Sequence, residues 1–136
     1  MNTISKLILV LSLFGWISCE KSNDPVIDDS DLLIGYWINP VAVDTFLKYE
    51  RVGELKENAY GFGFKTGHSF VERKNAGWCG TPPVIYGDDQ GTWARNDSLI
   101  DIEVPYWGGT AHYQWKIISL DNSSMTIAVL KQEFQE

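Results

Sequence analysis

The sequence predicts an all-β domain: an up-and-down antiparallel β-barrel of about eight short strands, with a β-sandwich as the alternative. Apolar and polar side chains alternate over several short runs, and turn-forming residues separate these runs at short intervals. No apolar run keeps the 3.6-residue period of an amphipathic helix for long enough to form one. The 136 residues are the size of one domain.

The clearest strands lie in the last third of the chain. Ser98–Val104, Thr110–Leu120 and Met125–Lys131 each place apolar side chains on one face and mainly polar ones on the other. The pair Gly108-Gly109 and the run Asp121–Ser124 separate them, and both have the composition of tight turns. These runs predict three consecutive strands in a meander.

Further strands are predicted upstream, at Leu32–Ile38, Tyr60–Phe64, His68–Lys74 and Gln90–Arg95. Val43–Val52 fits either a strand or one helical turn. Asn75–Asp89 is the longest irregular segment, and its Pro82-Pro83 pair excludes a central strand.

The amino terminus has the features of an export signal. Leu7–Ile17 is an apolar run of 11 residues preceded by Lys6, and it is too short to span a bilayer, which takes about 20 residues. Ser18 and Cys19 follow this run directly, an arrangement that resembles the lipobox of bacterial lipoproteins. The resemblance implies that Met1–Ser18 is removed and that Cys19 carries the lipid. An ordinary secretory peptide is the alternative.

Residues 19–31 are polar, acidic and without periodicity, so we expect a flexible tether that leads to a barrel domain over residues 32–136. The predicted location is the cell envelope, with a lipid anchor in the outer membrane. An acidic stretch after a lipidated cysteine is similar to the surface-export signals of some Gram-negative lipoproteins. Periplasmic and surface exposure both remain open.

The charge balance excludes two classes of partner. Removal of Met1–Ser18 leaves 10 basic and 18 acidic side chains, a net charge of −8. Nucleic acids bind basic surfaces, and anionic membranes attract polybasic segments. We therefore expect no nucleic-acid partner and no membrane contact other than the lipid.

Two sequence features resemble the lipocalin-like domains of small bacterial lipoproteins. Gly35-Tyr36-Trp37 matches the G-x-W of the first lipocalin strand, and Phe64–Gly67 is similar to the F-x-x-G hairpin turn of these domains. The resemblance implies a barrel with Gly35 and Trp37 as structural residues at its floor, and a ligand-binding role. In secreted lipocalins an arginine near the final strand stacks on the tryptophan. The last strand here offers Lys131.

Four aromatic side chains are the candidate ligand-binding residues. Tyr106 and Trp107 lie beside the predicted hairpin tip, and Trp78 and Tyr86 lie in the long irregular segment. Together they would form an aromatic rim at one barrel mouth, suited to a small ligand or a protein partner. The alternative is that they cap the core from outside. The many aromatics favour a filled interior, whereas small residues such as Gly61 leave room for a pocket.

No catalytic site, metal site or cofactor is predicted. Cys79 has no second cysteine once Cys19 carries lipid, and only His68 and His112 could serve as its base. These residues lack zinc-ligand spacing, and the acidic pairs Asp28-Asp29 and Asp88-Asp89 lack the pattern of a calcium loop.

The sequence therefore predicts a lipid-anchored envelope protein that is not an enzyme. The first hypothesis is a barrel that holds a small hydrophobic or amphipathic ligand near its mouth. The alternative is an accessory or inhibitor protein with a packed barrel, which uses Asn75–Asp89 to contact an envelope protein.

Overall fold

The computed structural model describes residues 31–76 and 84–136, which form eight β-strands and no helix. The strands are β1 (Gly35–Val43), β2 (Phe46–Val52), β3 (Gly61–Phe64), β4 (Ser69–Asn75), β5 (Tyr86–Asn96), β6 (Leu99–Tyr106), β7 (Gly109–Leu120) and β8 (Ser124–Gln135). They close into one antiparallel barrel, which confirms the predicted fold class over the sandwich alternative. The predicted signal peptide, Cys19, Trp78, Cys79 and all of the predicted tether except Asp31 lie outside the described residues.

The order of the strands differs from the predicted up-and-down order in one respect. Around the barrel the strands follow β1-β2-β8-β7-β6-β5-β4-β3, so β1 lies between β2 and β3. The connection over residues 53–60 therefore passes across the outer face, where the Leu55 carbonyl accepts a hydrogen bond from Arg73 Nη1 at 3.2 Å. Alternation along one strand does not encode which strand pairs with it, and sequential pairing is only the commoner arrangement.

Two boundaries in the first part of the chain differ from the prediction. β1 starts at Gly35 rather than Leu32, because a turn precedes it: Asp31 Oδ1 accepts the Leu33 N–H at 2.9 Å, and the Asp31 carbonyl accepts the Ile34 N–H at 3.0 Å. The ambiguous run Val43–Val52 contains a turn followed by β2, and Asp44 has the positive φ of 59° that such a turn uses.

The predicted meander is confirmed as β6, β7 and β8, and the alternation selects the correct faces. Ile100, Ile102 and Val104 are buried. β8 runs four residues beyond the predicted end, and its Val129 is exposed rather than buried. Val129 lies beyond Ile127, the last β8 residue that pairs with β2, and next to a register irregularity opposite Gln114 and Trp115.

Aromatic side chains fill the lower and middle barrel. Phe62 lies at the centre of this cluster, with its ring 4.8 Å from Tyr49 and 5.2 Å from Trp115. Gly61 and Gly63 do not open a gap into this core. A Cβ added at either glycine would point outward, and at Gly63 it would lie 2.6 Å from the ring of Tyr36.

Candidate functional site

The closed end of the barrel is built around the Gly35-Tyr36-Trp37 motif. Trp37 is fully buried, and its indole N–H donates to the Leu33 carbonyl at 3.0 Å. The Arg51 guanidinium lies 4.4 Å from the Trp37 ring centroid and donates to the Ile34 carbonyl at 2.8 Å. Gly35 leaves the space for this cation, since a Cβ there would lie 2.3 Å from Arg51 Nη1.

The cation on Trp37 therefore comes from β2 rather than from the last strand. Lys131, the residue that the last strand offers, forms an exposed ion pair with Glu133 instead. Arg95 also contributes to the floor, where its guanidinium pairs with Asp31. A cation over an indole adds about 0.5–2 kcal/mol of attraction, depending on desolvation. The floor is thus closed by side chains from β1, β2 and β5 together with residues 31–34.

The opposite end carries a corner of aromatic rings. Tyr106 at the end of β6 and Trp107 in the β6–β7 turn meet nearly edge to face at 6.1 Å. Phe134 near the end of β8 contacts Tyr106 at 5.2 Å and Tyr113 at 6.5 Å. Trp107 is 95% exposed. Rings held at right angles present faces and edges to the same space, which suits an apolar or cationic group.

A buried ionic cluster lies beside these rings. Glu72 is 4% exposed on the inner face of β4, and its carboxylate accepts a hydrogen bond from Lys74 Nζ at 2.9 Å. The same ammonium lies 3.3 Å from Asp89 Oδ2 and donates to the Pro105 carbonyl at 2.9 Å. A buried carboxylate needs a compensating charge and hydrogen bonds, and the cluster supplies both.

Two tyrosines complete the shell of Glu72. The hydroxyl of Tyr60 donates to its carboxylate at 3.1 Å, and that of Tyr113 does so at 3.5 Å. Burial, and then the negative charge of Glu72, raise the pKa of both tyrosines well above the usual value. Burial likewise raises the pKa of Tyr49 to about 12. These hydroxyls therefore keep their protons at neutral pH, and those of Tyr60 and Tyr113 remain donors to Glu72.

The rings, together with Lys74 and Asp89 of the ionic cluster, line one cleft at the open end, which we call the mouth cleft. Its volume is about 580 Å³, within the usual range of about 300–1,000 Å³ for small-molecule sites. The lining residues are Lys74, Asn75, Ala76, Asp89, Tyr106, Trp107, Tyr113 and Phe134. The apolar wall comes from β6, β7 and β8, and the polar side comes from β4 and β5.

The mouth cleft contains two of the four predicted rim residues. Tyr106 and Trp107 line it. Tyr86 lies instead in a polar hollow of about 620 Å³ on the outer face, beside the Arg73–Asp88 ion pair. Trp78 falls outside the described residues. The predicted rim is therefore present at the β6–β7 turn, whereas Tyr86 belongs to a different surface.

Several residues in or next to the mouth cleft were not predicted. Glu72, beneath the cleft, and Lys74, in its lining, lie on the same inner face as Phe70, and charges on an apolar face were the available signal. Phe134 lies beyond the predicted end of its strand. Asp89 was considered only as part of an acidic pair without a calcium-loop pattern, and its proximity to Lys74 follows from the pairing of β4 with β5.

The described histidines take structural positions. His68 Nδ1 lies 3.0 Å from the Trp93 carbonyl near the floor, and His112 Nδ1 lies 3.8 Å from Glu103 on the outer face. Within residues 31–76 and 84–136, no three His, Cys, Asp or Glu side chains group closely enough to hold a metal ion. That part of the chain also contains no helix of the length and hydropathy that crosses a membrane.

Comparison with known proteins does not assign the chain to a family. No family model matches the chain, and neither a curated protein nor a solved structure is significantly similar to it. A barrel alone hosts many unrelated functions. Function therefore has to be inferred from the mouth cleft and its side chains.

Proposed function

We propose that this chain is a lipid-anchored binding protein of the cell envelope, whose lipocalin-like barrel holds a small hydrophobic or amphipathic molecule in the mouth cleft. The observation that carries the proposal is the juxtaposition of an aromatic wall with the Lys74–Asp89 ion pair in one cleft of about 580 Å³. Clefts that bind small molecules combine a mostly apolar lining with a few fixed polar groups.

An amphipathic ligand fits both sides of this cleft. The rings of Tyr106, Trp107 and Phe134 would take its apolar part, while Asp89 and the exposed edge of Lys74 border the space for its polar part. Because side chains fill the barrel below Tyr113, the ligand would bind at the rim and not deep inside.

The position of the tether supports exchange with the aqueous side. Asp31–Ile34 are fixed at the floor by Arg51, Trp37 and Arg95, at the end opposite the mouth cleft. With a lipid on Cys19, the chain would approach the barrel from the membrane at its closed end. The mouth would then face away from the bilayer.

Ligand binding is tested by native mass spectrometry and tryptophan fluorescence on the predicted mature chain, residues 19–136, with the Cys19→Ser substitution that prevents lipid attachment. We expect a bound molecule, or saturable binding of amphiphiles, that Trp107→Ala weakens without a change in stability. Ile118→Ala is the matched control, because Ile118 is also exposed and lies on β7 away from the cleft. Equal binding by both variants, or none in the parent, would count against the proposal.

The proposed lipid anchor at Cys19 is tested separately. Mass spectrometry of the mature protein should find an amino-terminal cysteine that carries diacylglycerol, and the Cys19→Ser variant should lack this modification. One acyl chain gives only marginal attachment, whereas two or more hold a protein stably. An unmodified amino terminus on membrane-associated protein would contradict this part of the proposal.

One observation favours the alternative of a protein partner. β8 pairs with β2 only as far as Ile127, so its later residues pair with β7 alone in the described chain. Leu130 and Phe134 are exposed on that stretch, and a free strand edge can accept a further strand from another protein. Leu130→Lys should then abolish recovery of an envelope partner while ligand binding is unchanged.

A further inference from the structure

The ionic cluster of the mouth cleft carries an excess of one negative charge. Glu72 and Asp89 are acidic, and Lys74 is the basic side chain that contacts them. Arg73, the next cation along β4, points to the outer face and is held by Asp88 through two hydrogen bonds of 2.6 and 2.8 Å. The charge of Arg73 is therefore already paired on the other side of the sheet.

The Lys74 ammonium is already surrounded by acceptors of the protein. Two of its three N–H donors go to Glu72 Oε2 at 2.9 Å and to the Pro105 carbonyl at 2.9 Å, and Asp89 Oδ2 forms an ion pair with it at 3.3 Å. A carboxylate or phosphate group in the cleft would have to compete with these partners. It would also approach two carboxylates.

The groups that the cleft does offer suit a positive charge. The Asp89 side chain is 39% exposed, so its carboxylate is accessible from the cleft. The rings of Tyr106, Trp107 and Phe134 meet at nearly right angles close by, and cations bind the faces of such rings, tryptophan best of all.

We propose, on the basis of the proposed function, that the mouth cleft selects organic cations: molecules with an ammonium group and an apolar body. The ammonium lies between the Asp89 carboxylate and the aromatic corner, and the apolar part covers Phe134 and Tyr113. Anionic amphiphiles such as fatty acids are disfavoured by the excess negative charge.

Three probes with the same ten-carbon tail test this selectivity: decyltrimethylammonium, decyl maltoside and decanoate, each titrated as a monomer against the Cys19→Ser chain by tryptophan fluorescence. We expect the cation to bind most tightly and decanoate least. Added salt should weaken cation binding, because an attraction to a partly exposed carboxylate is screened.

A pair of charge-neutralising variants locates the effect. Asp89→Asn should weaken decyltrimethylammonium binding by about threefold to tenfold, in the range of partly exposed cation contacts, and weaken decyl maltoside binding by a smaller factor. Asp97→Asn removes the same charge from the closed end, at a position whose φ of 58° asparagine accepts, and should change neither probe.

The outcomes separate this inference from the proposed function. If decyl maltoside binds and the cation shows no preference, or if decanoate binds best, the charge selectivity is wrong and the binding role stands. If equal losses follow Asp89→Asn and Asp97→Asn, general electrostatics explains the preference and the assignment to the cleft is wrong. If none of the three probes binds, the proposed function fails as well.

Discussion

Lys74 and Glu72 form the ion pair on which the polar side of the mouth cleft depends. Lys74→Met would leave the Glu72 carboxylate buried with the two tyrosine hydroxyls as its remaining donors among the described residues. Loss of one partner of a buried pair costs about 3–5 kcal/mol. Because Lys74 is 24% exposed, we expect about 2–3 kcal/mol, measured by urea denaturation.

The double variant Glu72→Gln/Lys74→Met is the decisive comparison. It removes both charges, so we expect it to be more stable than Lys74→Met alone. A double variant that loses the sum of the two single losses would show that the two charges do not stabilise one another.

The raised pKa of Tyr49 predicts how the free energy of unfolding changes with pH. Burial raises its pKa to about 12 in the folded chain, whereas an unfolded tyrosine has a pKa near 10. The unfolded chain therefore loses this proton first, and the stabilisation, complete below about pH 10, is lost as the pH rises toward 12. Tyr49→Phe should make the free energy of unfolding fall less steeply between these values. An unchanged slope in alkaline urea titrations would contradict this.

The sequence alone could indicate only some of the residues that form the floor of the barrel and the mouth cleft. Gly35 and Trp37 were predicted as structural residues of the floor, and the structure adds a reason: both accommodate Arg51. Arg51 itself carried no sequence signal. It reaches Trp37 through the pairing of β1 with β2, and a stacking partner 14 positions away cannot be identified from spacing.

At the scale of elements, Gly91 in β5 shows how closely two strands approach. A Cβ at Gly91 would lie 2.2 Å from the Glu103 carbonyl oxygen and 3.0 Å from Val104 Cα. Both are backbone atoms, so Gly91→Ala must move β5 away from β6, at a cost of about 2–3 kcal/mol.

Gly53→Ala is the control for this prediction. No atom lies within 4 Å of its Cβ position, so we expect a change within about 0.5 kcal/mol. Thermal unfolding of both variants makes the comparison. Equal melting temperatures would mean that the strands are not as close at Gly91 as described.

Strand positions could be predicted from alternation, but strand order could not. The faces of β6 and β7 follow directly from the period of two in their sequences. The exchange of β1 and β2 depends on the connection over residues 53–60, where Leu55 packs against Gly61. That contact is tertiary. A four-residue strand such as β3 carries too little pattern to indicate its neighbours.

The whole molecule has two unlike ends. The floor is closed by Trp37, Arg51 and the Arg95–Asp31 pair, and the chain enters the barrel there. The other end holds the mouth cleft, the exposed Trp107 and the stretch of β8 that pairs with β7 alone in the described chain. This polarity is the physical basis for both candidate functions, since ligand and partner would each approach from the end away from the tether.

The central claim is that a small amphipathic molecule binds at the mouth and nowhere else on the barrel. Amide chemical shifts of the nitrogen-15-labelled Cys19→Ser chain, recorded during a titration with decyltrimethylammonium, test it directly. We expect saturable shifts grouped at Lys74–Ala76, Tyr106–Tyr113 and Phe134, with Trp37 and Arg51 unchanged. Shifts centred on the floor or on the outer hollow beside Tyr86, or no shifts at all, would contradict the claim.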